Sequence, residues 1–430
     1  MLITDATLPD GRTRDVRVED ETVTEIREAL PTTEDERSIN ASGKRLTPGM
    51  IDAHVHFRQP GFAHKETWKT GSESAAAGGV TTVVDQPNTD PPTIDGESFD
   101  RKVELAADSL VDFGINGGVT EDWLPNILLR RPLFALGEVF LADSTGNMGI
   151  EADLFADALK QATERDITVT VHAEDATRFN ESAKERDDAD AWSAYRAAQA
   201  EIDAVRRACT VAEKHDARIH VAHTSTPEAI DIAADAGMTC EVTPHHLFLS
   251  RNDLPELGTF GRMNPPLRRE NRRRKVFERV ANGTVDMIAT DHAPHTREEK
   301  DTCIWDAPSG VPGVETALPL LLNEAREGNI AYERIRDLTA ANTASVFDLP
   351  NKGRIEEGFD ADLVLFDPDD PQEIRGEDTH TKCDWTPFDG MNGVFPELTM
   401  VRGTVVYENR TGEELYGNPV GENVRDARVR

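Results

Sequence analysis

A chain of 430 residues exceeds what one small core needs and suits one large α/β domain with a modest second module. Its formal net charge of −33, from 80 acidic and 47 basic residues, repels nucleic acid and anionic membranes, so neither is an expected partner. The four cysteines, Cys209, Cys240, Cys303 and Cys383, form no CxxC pair, which points away from a thiolate zinc site or a disulfide framework and fits a reducing cytoplasm.

Residues 1 to 30 carry acids throughout, and no run of about 18 apolar residues occurs, so neither a secretory leader nor a membrane span is expected. Within the first 45 residues, "MLITDATL" and "RDVRVEDETVTEI" alternate apolar and polar positions, the pattern of short half-buried strands. The last third holds a matching set, "ADLVLFDP" and "LTMVRGTVVYENR". Together they predict a small β-sandwich assembled from both termini, residues 1–47 with 346–430, around a central region of 48–345.

That central region alternates short apolar runs with helical stretches. "GMIDAHVHF" is followed by "GVTTVVDQ", "VDFGINGGV", "LFALGEVFLA", "ITVTVHAED", "RIHVAHTS", "MTCEVTPHH" and "VDMIATDHAPH", eight runs in all, the count of a (β/α)₈ TIM barrel. Catalytic groups of such barrels sit at the C-terminal strand ends. His54 and His56 end the first run, Glu138 lies in the fourth, His172 ends the fifth, His223 the sixth and Asp291 the eighth.

In "HVHF" the two histidines are two apart, which on a strand puts both imidazoles on one face. Alone this is a weak signal. Joined to "VHAED", "VAHTS" and "ATDHAPH", it supplies four histidines and an aspartate converging on one rim. Imidazole and carboxylate without thiolate suit Zn²⁺, Mn²⁺ or Co²⁺. The basic run "RRENRRRK", Arg268 to Lys275, reads as a polyanion patch or as the solvated face of a helix, and in so acidic a chain the solvated face is the expectation.

"GMIDAHVHFRQPGFAHKET", "GVTTVVDQPNT", "TPHHL", "NPPLR" and "TDHAPH" resemble, in that order, the signature segments of the dihydroorotase branch of the cyclic amidohydrolases. "GRIEEGFDADLVLFDP" and "KCDWTPFDGM" resemble the closing sandwich segments of the same enzymes, so the resemblance covers nearly the whole chain. It implies reversible hydrolysis of L-dihydroorotate to N-carbamoyl-L-aspartate, in pyrimidine biosynthesis, on two divalent metal ions, zinc foremost. His54, His56 and Asp291 would hold one ion, and His172 and His223 the other. Many relatives bridge the ions with a carboxylated lysine where this chain reads "GEVFLADSTGNMG" and has Glu138. A glutamate already carries the carboxylate, so Glu138 is the expected bridge, with Asp143 as the competing candidate.

By the same resemblance Asp291 is the catalytic acid–base group. Arg58, read as lying on the strand face of His54 and His56, could pair bidentately with a substrate carboxylate. The resemblance adds Asn88, Asn264, His295 and the loop around Gly310 as substrate contacts, and His245 and His246 in supporting or packing roles. An allantoinase or hydantoinase shares the fold and metals but needs no carboxylate site, so Arg58 and the "HKET" after "PGFA" favour the dihydroorotase branch. Homo-oligomers are common in the family, and a dimer or tetramer is the corresponding expectation. Only 11 of the 47 basic residues are Lys, and this acid-rich, Lys-poor composition resembles that of proteins from salt-accumulating halophiles.

Overall fold

The computed structural model describes residues 1–33, 36–144, 148–410 and 412–426. Eight parallel strands form its centre: β1 (Met50–Val55), β2 (Val80–Asp85), β3 (Asp112–Ile115), β4 (Leu136–Phe140), β5 (Val169–His172), β6 (Ile219–Val221), β7 (Thr239–Val242) and β8 (Met287–Ile288). One ladder runs β1 to β3 and another β4 to β8. Parallel bridges between Gly117 and Leu136 and between Val55 and His292 join the two ladders into a closed barrel. Every residue of β1 and β2 is buried, as expected of a parallel strand covered on both faces, which explains why these segments read as continuous rather than alternating apolar runs.

Local sequence sets the surrounding helices. Thr67 and Thr70 form a capping box that starts Trp68–Ala77, Asp95 and Ser98 do the same for Gly96–Ala106, and Gly283, at φ +96°, ends Glu270–Asn282. The inward faces of strands and helices share one core that includes Val80, Phe113, Leu159, Val205, Ile230 and Leu321. Among the described residues no helix is long and apolar enough to cross a membrane.

Strands from both ends of the chain make a nine-stranded sheet, the β-sandwich. Arg45–Pro48 pairs antiparallel with Leu363–Phe366, Leu46 opposite Leu365, and Ile3, Val16, Leu46, Leu363 and Met400 share its core. A buried ion cluster fastens it to the barrel. Lys352 Nζ lies 2.8 Å from Asp112 of β3 and 2.6 Å from Asp362, and Arg402 pairs with the second oxygen of Asp112. Removing one partner would strand a buried charge. The residues between Phe366 and Pro396 leave the sheet and pack against the barrel loops, where Trp385 Nε1 donates to His295 O at 2.8 Å and Thr381 to Glu66 at 2.5 Å.

Two runs are shorter as strands than their apolar stretches suggest. The fourth reduces to Leu136–Phe140, and in the eighth the ladder of Met287–Ile288 is interrupted around Asp291, at φ +49°, before His292 pairs again with Val55. In the basic run, Arg272 pairs with Glu228, and Arg273 and Arg274 with Glu270, on a helix face as expected. Arg268 departs from that expectation: it is buried and lies 3.1 Å from Glu201.

Candidate metal centre and substrate cavity

His54 leaves β1 and His56 follows its last residue, their rings 5.3 Å apart between centroids. Across the barrel mouth the carboxylate of Glu138, from the middle of β4, lies 2.5 Å from His223 Nε2, 3.0 Å from His172 Nδ1 and 3.4 Å from His54 Nε2. Asp291 Oδ1 lies 2.9 Å from His56 Nε2 and 3.6 Å from His54 Nε2. All six side chains are buried. Donor atoms of His54, His56 and Asp291 lie within 4.8 Å of one another, as do those of His54, Glu138 and His223. His172 joins the second group through Nδ1, 2.9 Å from His223 Nε2.

These residues fit a pair of divalent cations. His54 Nε2 is buried without a hydrogen-bond partner, and imidazole nitrogens and carboxylate oxygens converge there. Burial pushes the Glu138 carboxyl up, but the facing His54, His223 and His172 outweigh it and hold it well below the usual range. Burial pulls the His54 imidazole down, yet Glu138 and Glu241 raise it well above its ordinary value. The cluster is built to hold positive charge.

The far nitrogens are held as well. His54 Nδ1 meets Glu241 Oε1 at 2.7 Å, His56 Nδ1 meets Asn88 Oδ1 at 2.7 Å, and His172 Nε2 meets Glu174 Oε2 at 3.0 Å. Such partners fix which ring nitrogen faces a cation and raise its basicity. Arg196 grips Glu174 with Nη2 at 2.6 Å and Nε at 2.9 Å, and burial alone would push that carboxyl up had Arg196 and His172 not pulled it far down. The side chain of Asp143 is exposed, and its Oδ1 accepts from Gly149 N at 2.8 Å. Residues 145–147 of that stretch lie outside the described residues.

A small cavity of about 20 Å³ opens over the cluster, its other wall formed by Arg58, Asn88, Ser144, Asn264, Ser309 and Gly310. Arg58 is not on the strand face predicted for it: β1 ends at Val55, and Arg58 sits in the following turn at φ +62°. Its Nε donates to Pro294 O at 3.3 Å, and burial pulls the guanidinium down to about 10, still cationic at neutral pH. The Asn264 amide is oriented by its neighbours: Oδ1 accepts from Trp192 Nε1 and Nδ2 donates to Ser144 Oγ, both at 3.0 Å. Gly310, at φ +134°, leaves no room for a Cβ, which would fall 2.6 Å from Ala293 O. His295 stands behind Arg58, its Nε2 3.2 Å from Arg58 Nη2 and 3.0 Å from Ser309 O, and is not among the lining residues. His246 bridges Thr243 Oγ1 and Pro265 O, and its ring packs on that of His245.

Residues 45–406 match the amidohydrolase family. The chain belongs to that family. A dihydroorotase of Halobacterium salinarum is 62% identical over 97% of this chain and 99% of its own length. One from Methanosarcina acetivorans is 42% identical over 92% and 89%. Among solved structures, an L-hydantoinase (dihydropyrimidinase) from Arthrobacter aurescens superposes with a TM-score of 0.92 at 28% identity, covering 98% of each chain.

Sequence reasoning about this amidohydrolase missed Glu241, Glu174, Arg196, Trp192 and Ser144. Glu241 carried a signal: an acid inside the apolar run of β7 is buried at a cost unless paired. Trp192 and Ser144 carried none, because they reach Asn264 across 72 and 120 positions.

Proposed function

We propose that this amidohydrolase is a dihydroorotase, interconverting L-dihydroorotate and N-carbamoyl-L-aspartate on the way to UMP, with His54, His56, Asp291, Glu138, His172 and His223 holding two divalent cations, zinc foremost. The observation that carries the substrate assignment is Arg58, a buried guanidinium on the wall facing the cluster, in a cavity also lined by Asn264, whose amide is oriented by Trp192 and Ser144. The ring carboxylate of dihydroorotate pairs with such donors, whereas hydantoin and allantoin carry no carboxylate to match them. The 62% and 42% identical relatives bear the same activity in their names.

Cations bound here supply an acidified water and a Lewis acid for the amide carbonyl oxygen. The chain's own part begins with orientation: Arg58 and Asn264 seat the carboxylate, so that the scissile amide lies over Glu138 and Asp291. Asp291, kept ionised by His56 and His54 although burial opposes it, lines the cavity. It takes the proton of the attacking water and returns it to the ring nitrogen as the C–N bond breaks. Ring closure retraces these steps. The division into a sandwich of 1–47 with 346–430 and a barrel of 48–345 goes with this reading, as does a cytoplasmic site of action.

The test is turnover of dihydroorotate, hydantoin and allantoin side by side by the metal-loaded enzyme, in molar potassium chloride to match the acid-rich surface. Dihydroorotate is the expected preferred substrate. The 0.92 superposition on a hydantoinase makes hydantoin the informative competitor, and a preference for it overturns the assignment.

A further inference from the structure

Lys300 closes the short helix Arg297–Lys300, on the loop that follows Asp291 and His295. Its side chain is fully buried, a placement that disfavours an ammonium group unless every N–H finds an acceptor. All three do. Nζ lies 3.0 Å from Arg262 O, 3.0 Å from Pro308 O and 3.1 Å from Gly310 O. Among the described residues it has no carboxylate partner; its hydrogen bonds go to the main chain, and Nζ lies 5.7 Å from the centroid of the Trp385 ring.

Those carbonyls belong to two different loops of the cavity wall. Arg262 lies two residues before Asn264, and Pro308 and Gly310 flank Ser309. The loops also touch directly, through Gly310 N to Arg262 O at 3.0 Å and Arg262 Nε to Ser309 Oγ at 3.2 Å. Thr259 Oγ1 anchors the lysine's own carbonyl at 2.6 Å. No barrel strand takes part, so the fold gains little from spending a buried cation here. The ammonium ties the loop that carries Asn264 to the loop that carries Gly310.

We propose that Lys300 is a positioning residue for the substrate cavity: it grips the carbonyls of Arg262, Pro308 and Gly310 and so fixes the separation of the two loops that enclose the substrate ring. The proposal rests on the dihydroorotase reading above. Contacts from both loops act on bound substrate and on the transition state alike, so their loosening raises KM and spares kcat.

The experiment compares full-length, metal-loaded wild type with Lys300→Met, which keeps the length and burial of the side chain but removes its donors, and Lys300→Gln, which restores part of them. For Lys300→Met, KM for dihydroorotate is expected to rise about tenfold, as for loss of hydrogen bonds from a charged donor. Its kcat should stay within about twofold and its metal content at the wild-type value, with KM of Lys300→Gln in between. A purely structural lysine would lower the melting temperature without separating KM from kcat. An unchanged KM, a fall in kcat with loss of metal, or failure of both variants to fold overturns the positioning role while wild-type turnover stands. Wild-type enzyme that does not act on dihydroorotate overturns the functional reading, and this inference with it.

Discussion

On the metal side of the cavity each functional side chain leaves a barrel strand or a residue within three of its end, whereas on the substrate side Asn264, Ser309 and Gly310 belong to loops far from any strand end, and Arg58, three residues past β1, sits in a turn at φ +62°. The two sides therefore answer to different constraints. Strand spacing and shear fix where His54, Glu138, His172 and His223 point, and little can vary without breaking the barrel. The loop side is held by separate ties: Trp192 and Ser144 on Asn264, Pro294 O on Arg58, and Lys300 on three carbonyls. This chain superposes on a hydantoinase with a TM-score of 0.92 at 28% identity, so the shared barrel does not by itself decide which substrate the loops select.

The sharpest way to break this division is to strike the strand side. Glu138→Ala removes a carboxylate that faces His54, His172 and His223 together, and leaves the His172 and His223 end of the cluster without it. Bound metal is expected to fall well below two ions per chain, and turnover by about a thousandfold or more, given the several kcal/mol that cations contribute to such chemistry. Elemental analysis alongside kcat checks it. Retention of two tightly held ions would move the bridge elsewhere and make Asp143 the next residue to change.

The complementary blow falls on the loop side. Arg58→Met should leave metal content untouched while kcat/KM for dihydroorotate drops about a hundredfold, the scale of a lost charge-assisted pair in a buried site. If metal is lost as well, the two walls are not independent and the contrast fails. The cause would then be sought in the turn at Phe57, whose N–H donates to Asp85 at 2.7 Å between His56 and Arg58.

The sequence disclosed these two sides unequally, for the same physical reason. Strand-borne ligands announce themselves because a polar residue at the end of an apolar run is conspicuous, and His54, His56, His172 and His223 all stood out in that way. Glu241 was equally conspicuous in "TCEV" but carries no motif, and its role depends on which imidazole it meets across 187 positions. Loop geometry hid more. Arg58 reads as strand by alternation, since nothing in "HVHFRQP" foretells a positive φ at a bulky residue. Lys300 was the least legible of all, because "REEK" has the composition of a solvated helix turn and only the tertiary fold encloses it. The sandwich was readable from the alternation of strands such as Leu2–Thr7, whereas Leu363–Phe366, buried on both faces, reads as a continuous apolar run.

The smallest effect expected tests a place that belongs to neither wall. His380, between the sandwich strands, meets Glu315 at 2.8 Å and Glu414 at 3.0 Å. Burial pulls its imidazole down, but the two carboxylates outweigh that and raise it to about 9. A group held above its ordinary value of about 6.5 binds its proton more tightly when folded, so its stabilisation is complete below that pH and disappears as pH rises through about 9. The melting temperature of wild type should therefore fall between pH 6.5 and 9.5 more steeply than that of His380→Gln. Partial exposure of His380 and Glu414 and screening at high salt limit the difference to about a degree or two. Metal content and kcat/KM at pH 7 should be the same in both proteins, because His380 touches neither the cluster nor the loops that line the cavity. Equal slopes would mean that the proton on His380 is held no more tightly in the folded chain than in the unfolded one, and that Glu315 is satisfied by Ser74 Oγ, 2.7 Å away, and the His380 backbone N–H alone.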